Sequence, residues 1–226
     1  QWLLVTALGL TGVFFYNVFF FNGLQTIAAS RASLIVAITP VVTSVLSAVF
    51  FKEQITPLRW LGILLSMTGA VLVIAHGKPL EVLNGGISTG DVLIFGCVIA
   101  WAVYTLIGKV ALREMSPLVV ATYSAVVGFA TLAVLAVPEG MLAAYARMDW
   151  RTWASVLFLA VFSTAIAFIW FYEGVRAIGP SKAAVFGNLV PVFAVMLAVL
   201  LLGERIDSST ITGGALVLAG VSLTNR

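Results

Sequence analysis

The chain has 226 residues, of which 62% are hydrophobic and only 9% charged, against roughly a quarter charged in ordinary soluble domains. That balance excludes a water-soluble globule, which has no way to hide so much apolar surface. The net charge of +3 comes from twelve basic residues scattered among loops without a Lys/Arg run, which excludes a nucleic-acid partner.

A helix needs about 20 mainly apolar residues to cross the hydrocarbon core. Eight hydrophobic segments fit that description, at about 2–24, 32–51, 58–74, 92–110, 118–137, 153–178, 183–202 and 211–223. They are continuously apolar, whereas β-barrel strands alternate in runs of about ten residues. The predicted class is an all-α polytopic membrane protein. Cys97 is the single cysteine, so neither an intrachain disulfide nor a cysteine metal cluster can form. The chain opens on Gln1 without an initiator Met or the zones of a signal peptide, and is expected to be incomplete.

In chain order, the first segment carries Tyr16, Asn17, Phe20, Asn22 and Gly23, and Ser30 can cap the second, which holds Pro40 near its middle. Thr56-Pro57 and Ser116-Pro117 each put an N-cap hydroxyl before a proline at the first helical position. The Gly- and Pro-rich stretch 76–90 reads as a loop, with Thr89 or Asp91 starting the fourth segment. Met141, Leu142, Tyr145 and Met148 have near-helical spacing and suit a short helix at the membrane interface. Gly179-Pro180 separates the sixth and seventh segments, and Ser181 and Ser208 can cap the last two.

Sliding the sequence on itself by 151 residues superposes Gly23 on Gly174, Ile27 on Ile178, Ser30 on Ser181, Ala32 on Ala183 and Pro40 on Pro191. The same shift pairs Glu53 with Glu204, Ile55 with Ile206, Gly62 with Gly213 and Gly69 with Gly220. Shared apolar composition does not place Gly, Pro, Ser and Glu in one ungapped register, so a duplication is inferred. Five segments separate each helix from its copy, and an odd spacing reverses direction. The second unit is therefore expected to be inverted, the architecture of many secondary transporters. The predicted organisation is residues 1–75 as three helices of a first unit, 76–90 as a connecting loop and 91–226 as a second unit of five. Two partner helices of the first unit would then precede Gln1 and occupy about 60 residues, making ten helices in all.

Orientation follows from loop charge. Lys52, Arg59, Lys109, Arg113, Arg176, Lys182 and Arg226 fall on one side, against Arg31, Lys78, Arg147, Arg151 and Arg205 on the other. This majority places the C-terminus in the cytoplasm.

The G-x-x-x-I-x-x-S-x-A pattern from Gly23 to Ala32 and its copy from Gly174 to Ala183, the mid-helix Pro40 and Pro191, and the apolar runs closing in Lys52-Glu53 and Gly203-Glu204 before a Gly-rich helix resemble the drug/metabolite transporter superfamily, in its EamA-type members. The resemblance covers essentially the whole chain. It implies a ten-helix carrier of two five-helix units in a bacterial inner membrane. Such carriers are commonly exporters of amino acids, including aromatic ones, of other metabolites or of organic cations. Sugar phosphates or nucleotide sugars are the alternative substrate class, and the absent first two helices leave any site read here incomplete.

Pro40 and Pro191 each remove one backbone hydrogen bond and kink a helix, which serves either packing or a cavity. Asn188, one turn before Pro191, is an amide at membrane depth, where it contacts substrate or water or bonds another helix. Trp101, Tyr104 and Gly108 follow an i, i+3, i+7 spacing that Tyr16, Phe20 and Gly23 repeat. Such stripes form core or belt more often than a binding box, but facing a cavity they favour aromatic or cationic substrates, and Trp170 joins that set. Glu173 reads either as an ion pair with Arg176 at i+3 or as a coupling carboxylate. Glu53 and Glu204 read as structural.

A membrane enzyme would need paired aspartates, a Ser/His pair or a zinc motif within the bilayer, and the single histidine, His76, is in a loop. A channel would need filter-like backbone motifs or rings of charge. A non-enzymatic carrier without cofactor or metal is expected, with a small-molecule substrate, the lipid bilayer around it and no obligate protein partner. Its mechanism would be alternating access between the two units.

Overall fold

The computed structural model describes residues 2–76, 78–83, 87–202 and 208–225, and all regular structure among them is helical. The helices are α1 (Trp2–Leu24), α2 (Ala29–Val36), α3 (Thr39–Phe51), α4 (Pro57–Ile74), α5 (Pro79–Leu83), α6 (Thr89–Ala111), α7 (Pro117–Ala136), α8 (Met141–Ala146), α9 (Trp150–Ile178), α10 (Pro180–Val185), α11 (Leu189–Leu202) and α12 (Ser208–Thr224). Among the described residues, six stretches are long and apolar enough to cross a bilayer: α1, Arg31–Phe51 across α2 and α3, α4, α6, α7 and α9. The seventh expected segment is broken at a 3-10 turn, Phe186–Asn188, and the eighth gives the 17-residue α12. Two stretches wind as π-helix, Gly9–Phe15 in α1 and Leu159–Ile166 in α9, a feature that hydrophobic periodicity does not reveal.

Capping chemistry sets many boundaries. Thr56 and Ser116 accept from the amides of Arg59 and Val119, with proline at the next position as expected. α6 starts at Thr89, one of the two expected starts, and Ser88 caps it. Ser88 accepts from the Asp91 amide while the Asp91 carboxylate accepts from the Ser88 amide, a capping box. Asp149 caps α9 by accepting from the Thr152 amide and hydroxyl, which holds its carboxyl below the ordinary aspartate range. Lys52, with φ of +52°, ends α3, and Gly179, with φ of +86°, turns the chain from α9 into α10.

Small residues let the helices approach closely. α4 and α12 pack antiparallel with Gly62 against Gly220 and Gly69 against Gly213, so close that a Cβ on Gly69 would lie 2.5 Å from the Gly213 carbonyl oxygen. α1 packs on α6 and α7, and α3 packs against α6 and α10. α9 docks through its second half on α6, α7 and α10, while residues 150–165 are all exposed. One packed core gathers Leu8, Tyr104, Val120, Tyr172 and Ala183. A second gathers Ala37, Ile63, Val185, Val217 and Val221.

Side-chain contacts tie each end together. At one end Arg31 forks onto Asp91, Nε to Oδ1 at 2.5 Å and Nη2 to Oδ2 at 2.8 Å, joining α2 to α6. At the other, Lys109 lies over the Phe51 ring at 4.4 Å and Ser181 donates to Glu53 Oε2 at 3.1 Å. Ser47 also donates to Glu53, and Arg59 pairs with it at 3.8 Å. Glu204, the repeat partner of Glu53, lies outside the described residues.

Candidate functional site

Four of the predicted residues form one aromatic column. Phe20 stacks on Tyr16 with ring centroids 5.9 Å apart, Tyr16 meets Trp101 at 5.4 Å, and Trp101 meets Tyr104 at 5.4 Å. The helical spacing that put Tyr16 and Phe20 on one face of α1, and Trp101 and Tyr104 on one face of α6, thus turns both faces toward each other. α9 closes the column: Phe168 and Phe171 pack on Trp101 at 5.5 and 5.3 Å, and Tyr172 on Tyr104 at 5.2 Å.

Along the column burial deepens. Phe20, Tyr16 and Trp101 are partly accessible, whereas Tyr104 and Tyr172 are fully buried. The Tyr104 hydroxyl lies 3.5 Å from Ser124 Oγ, and the Tyr172 hydroxyl is buried without a hydrogen-bond partner. Gly12 abuts the Tyr104 ring and Gly108 the Tyr172 ring at distances no Cβ would permit. Three helices therefore present aromatic faces to one another, with Tyr104 and Tyr172 in the packed core and Trp101, Phe168 and Phe171 against it.

Trp170 is not in this column. It is 73% exposed, because Phe168, Phe171, Tyr172 and Val175 take the i, i+3, i+4, i+7 face of α9 that meets the core. Glu173 is exposed on the other side of the same helix, and among the described residues it forms no ion pair with Arg176.

The two prolines flank helix breaks. Pro40 is buried as the second residue of α3, after the turn at Ala37 and Ile38, and Pro191 is the third residue of α11, after the 3-10 turn. The residues around these breaks, Ala37, Val41, Val185, Leu189 and Val192, belong to the second core rather than to the aromatic column. Asn188 sits at the break, 3% exposed, and its Nδ2 donates to Ser66 Oγ on α4 at 3.1 Å. This is the interhelical hydrogen bond that stood as one of its two readings. Asn17 and Asn22 bond back to the carbonyls of Val13 and Val18 in their own helix.

Sequence reasoning passed over a buried hydroxyl stripe on α3. Thr39, Thr43, Ser44 and Ser47 are all buried, and the Thr43 and Ser44 hydroxyls have no hydrogen-bond partner. The repeat positions are Val190, Ala194, Val195 and Ala198, so the hydroxyls belong to one copy of the helix. Comparing the two copies for polarity was the signal that could have found them. No group of three or more His, Cys, Asp or Glu with metal-holding geometry occurs among the described residues.

Long apolar helices, buried helix breaks and glycine-mediated crossings define a multi-pass α-helical membrane protein. The chain belongs to the EamA-like transporter family, whose profile matches residues 1–75 and 88–226. It is 30% identical over 215 residues to the uncharacterized transporter YyaM of Bacillus subtilis (strain 168), a match covering 95% of this chain and 70% of that protein. It is also 30% identical over 225 residues to a probable terminal-alkyne amino-acid exporter of Streptantibioticus cattleyicolor, covering 99% of this chain and 73% of that one. A crystal structure with 21% identity superposes with a TM-score of 0.77 over 99% of this chain and 76% of that chain, a likeness of fold.

Proposed function

We propose that this chain forms most of a secondary exporter of small metabolites, amino acids including aromatic ones and organic cations, and that it moves them by alternating access rather than by chemical catalysis. The observation that carries the substrate class is the column of Phe20, Tyr16, Trp101 and Tyr104 closed by Phe168, Phe171 and Tyr172. The relative named as an amino-acid exporter adds support.

The working architecture is two inverted units, 1–75 and 91–226 joined by 76–90, with eight crossing segments in this chain. Several features support it. The family profile matches twice. Under the 151-residue shift the contact of Gly62 with Gly220 becomes that of Gly213 with Gly69, so the two contacts exchange as a two-fold axis requires. The π-helical stretches and the breaks before Pro40 and Pro191 also fall at corresponding positions. The breaks are the hinges about which one unit rocks against the other. The membrane is a bacterial inner membrane, with the C-terminus cytoplasmic.

The test is counterflow in liposomes holding the full-length protein, with labelled aromatic and aliphatic amino acids, a quaternary ammonium cation and a sugar phosphate. Saturable exchange of an amino acid, weakened in Trp101→Ala with folding retained, is the expected result. Exchange confined to the sugar phosphate would overturn the substrate class, and unsaturable flux would overturn the carrier.

A further inference from the structure

Four of the described cations have polar partners. Arg31 is forked on Asp91, Arg59 pairs with Glu53, Lys78 with Glu81, and Lys182 donates to the Asn225 carbonyl at 3.2 Å. Lys109, Arg113 and Arg176 converge on one open cavity of about 230 Å³, whose remaining lining is Leu112, Val175 and Gly179. Lys109 also rests against the Phe51 ring, and none of the three is ion-paired among the described residues.

Helix-end cations have an ordinary explanation. Lys109 and Arg176 lie in the last turns of α6 and α9, where positive charge complements the helix dipole. That explanation accounts for each residue separately and not for their meeting. Three like charges around one cavity repel each other, and a bound anion removes that cost. One acid near the cavity is Glu53, whose Oε1 lies 3.9 Å from where a Cβ on Gly179 would stand. It is already held by Ser47, Ser181 and Arg59.

We propose that this cavity binds the phosphate of an anionic lipid headgroup. Its depth in the protein fits a lipid: it opens where two crossing helices end, Ala111 and Ile178, and its floor is the buried apolar pair Leu112 and Val175. Basic pockets between crossing helices are where phosphate headgroups dock, and each basic residue near the surface contributes about a fivefold gain in affinity. Arg113 and Arg176 are exposed enough to reach a headgroup, and Lys109 supplies a third cation deeper in.

The experiment measures thermal unfolding of the full-length protein in detergent titrated with phosphatidylglycerol, phosphatidylcholine or inorganic phosphate. The variants are Arg113→Gln, Arg176→Gln and the triple with Lys109→Gln, and Arg151→Gln is a cation control elsewhere. Phosphatidylglycerol, but not phosphatidylcholine, should stabilise the wild type. The apparent affinity should fall about fivefold in each single variant and roughly a hundredfold in the triple, with no change in the control. The exposed single variants keep the test valid should the triple fail to fold. An unchanged phosphatidylglycerol effect in both single variants overturns the site. Equal protection by inorganic phosphate overturns the lipid as its occupant.

Discussion

Gly69 and Gly213 meet backbone to backbone. A Cβ on Gly69 would stand 2.5 Å from the Gly213 carbonyl oxygen, and one on Gly213 would stand 2.7 Å from the Gly69 carbonyl oxygen. Neither helix can yield locally, because the atom met is backbone. Gly69→Ala is therefore expected to cost about 1–3 kcal/mol by overpacking, and Gly69→Val to prevent the α4–α12 pairing. Gly174 is the control, since a Cβ there meets only the Ala183 Cβ at 4.0 Å. Detergent-resistant melting temperatures of Gly69→Ala and Gly174→Ala check this, and equal stability of the two would refute the close contact.

The Arg31–Asp91 fork joins α2 to the capped start of α6, and Asp91 additionally accepts from the Ser88 amide at 2.6 Å and the Ser88 hydroxyl at 2.8 Å. Arg31→Gln is expected to lower the melting temperature. Asp91→Asn should lower it further, since it also weakens the capping box. Exchange of the two charges should recover only part of the loss, because arginine at 91 cannot cap.

Glu53 links α3 to the α9–α10 turn through Ser181. A double-mutant cycle of Glu53→Gln and Ser181→Ala should give a coupling energy of about 1.5–3 kcal/mol, the range for a hydrogen bond to a charged group. Additive effects would mean that the carboxylate does not hold the turn.

Thr43 and Ser44 bury hydroxyls without partners, and an unsatisfied buried polar group costs about 1–3 kcal/mol. Ser44→Ala and Thr43→Val are expected to leave stability unchanged or raise it. A transport assay on the same variants separates a packing role from one in which water or substrate meets these hydroxyls. Unchanged export would assign them to packing.

The sequence by itself determined the membrane class and the caps at Thr56 and Ser116, and it marked eight apolar segments, of which six stretches among the described residues are long and apolar enough to cross a bilayer. These rest on local rules: apolar length against bilayer thickness and hydroxyl-proline chemistry at helix starts. It also placed Tyr16 with Phe20 and Trp101 with Tyr104, because periodicity reports which residues share a face of one helix. Only the tertiary structure decided which faces meet. It brought Phe168, Phe171 and Tyr172 onto Trp101 and Tyr104 and left Trp170 and Glu173 outside; it gave Asn188 to Ser66, broke the seventh segment at Phe186–Asn188, and drew Lys109, Arg113 and Arg176 around one cavity. In a soluble protein polarity separates the inner from the outer face of a helix. Lipid is as apolar as a helix interface, so for a residue such as Trp170 apolarity does not say which way it faces, and close packing selects the residues that turn inward.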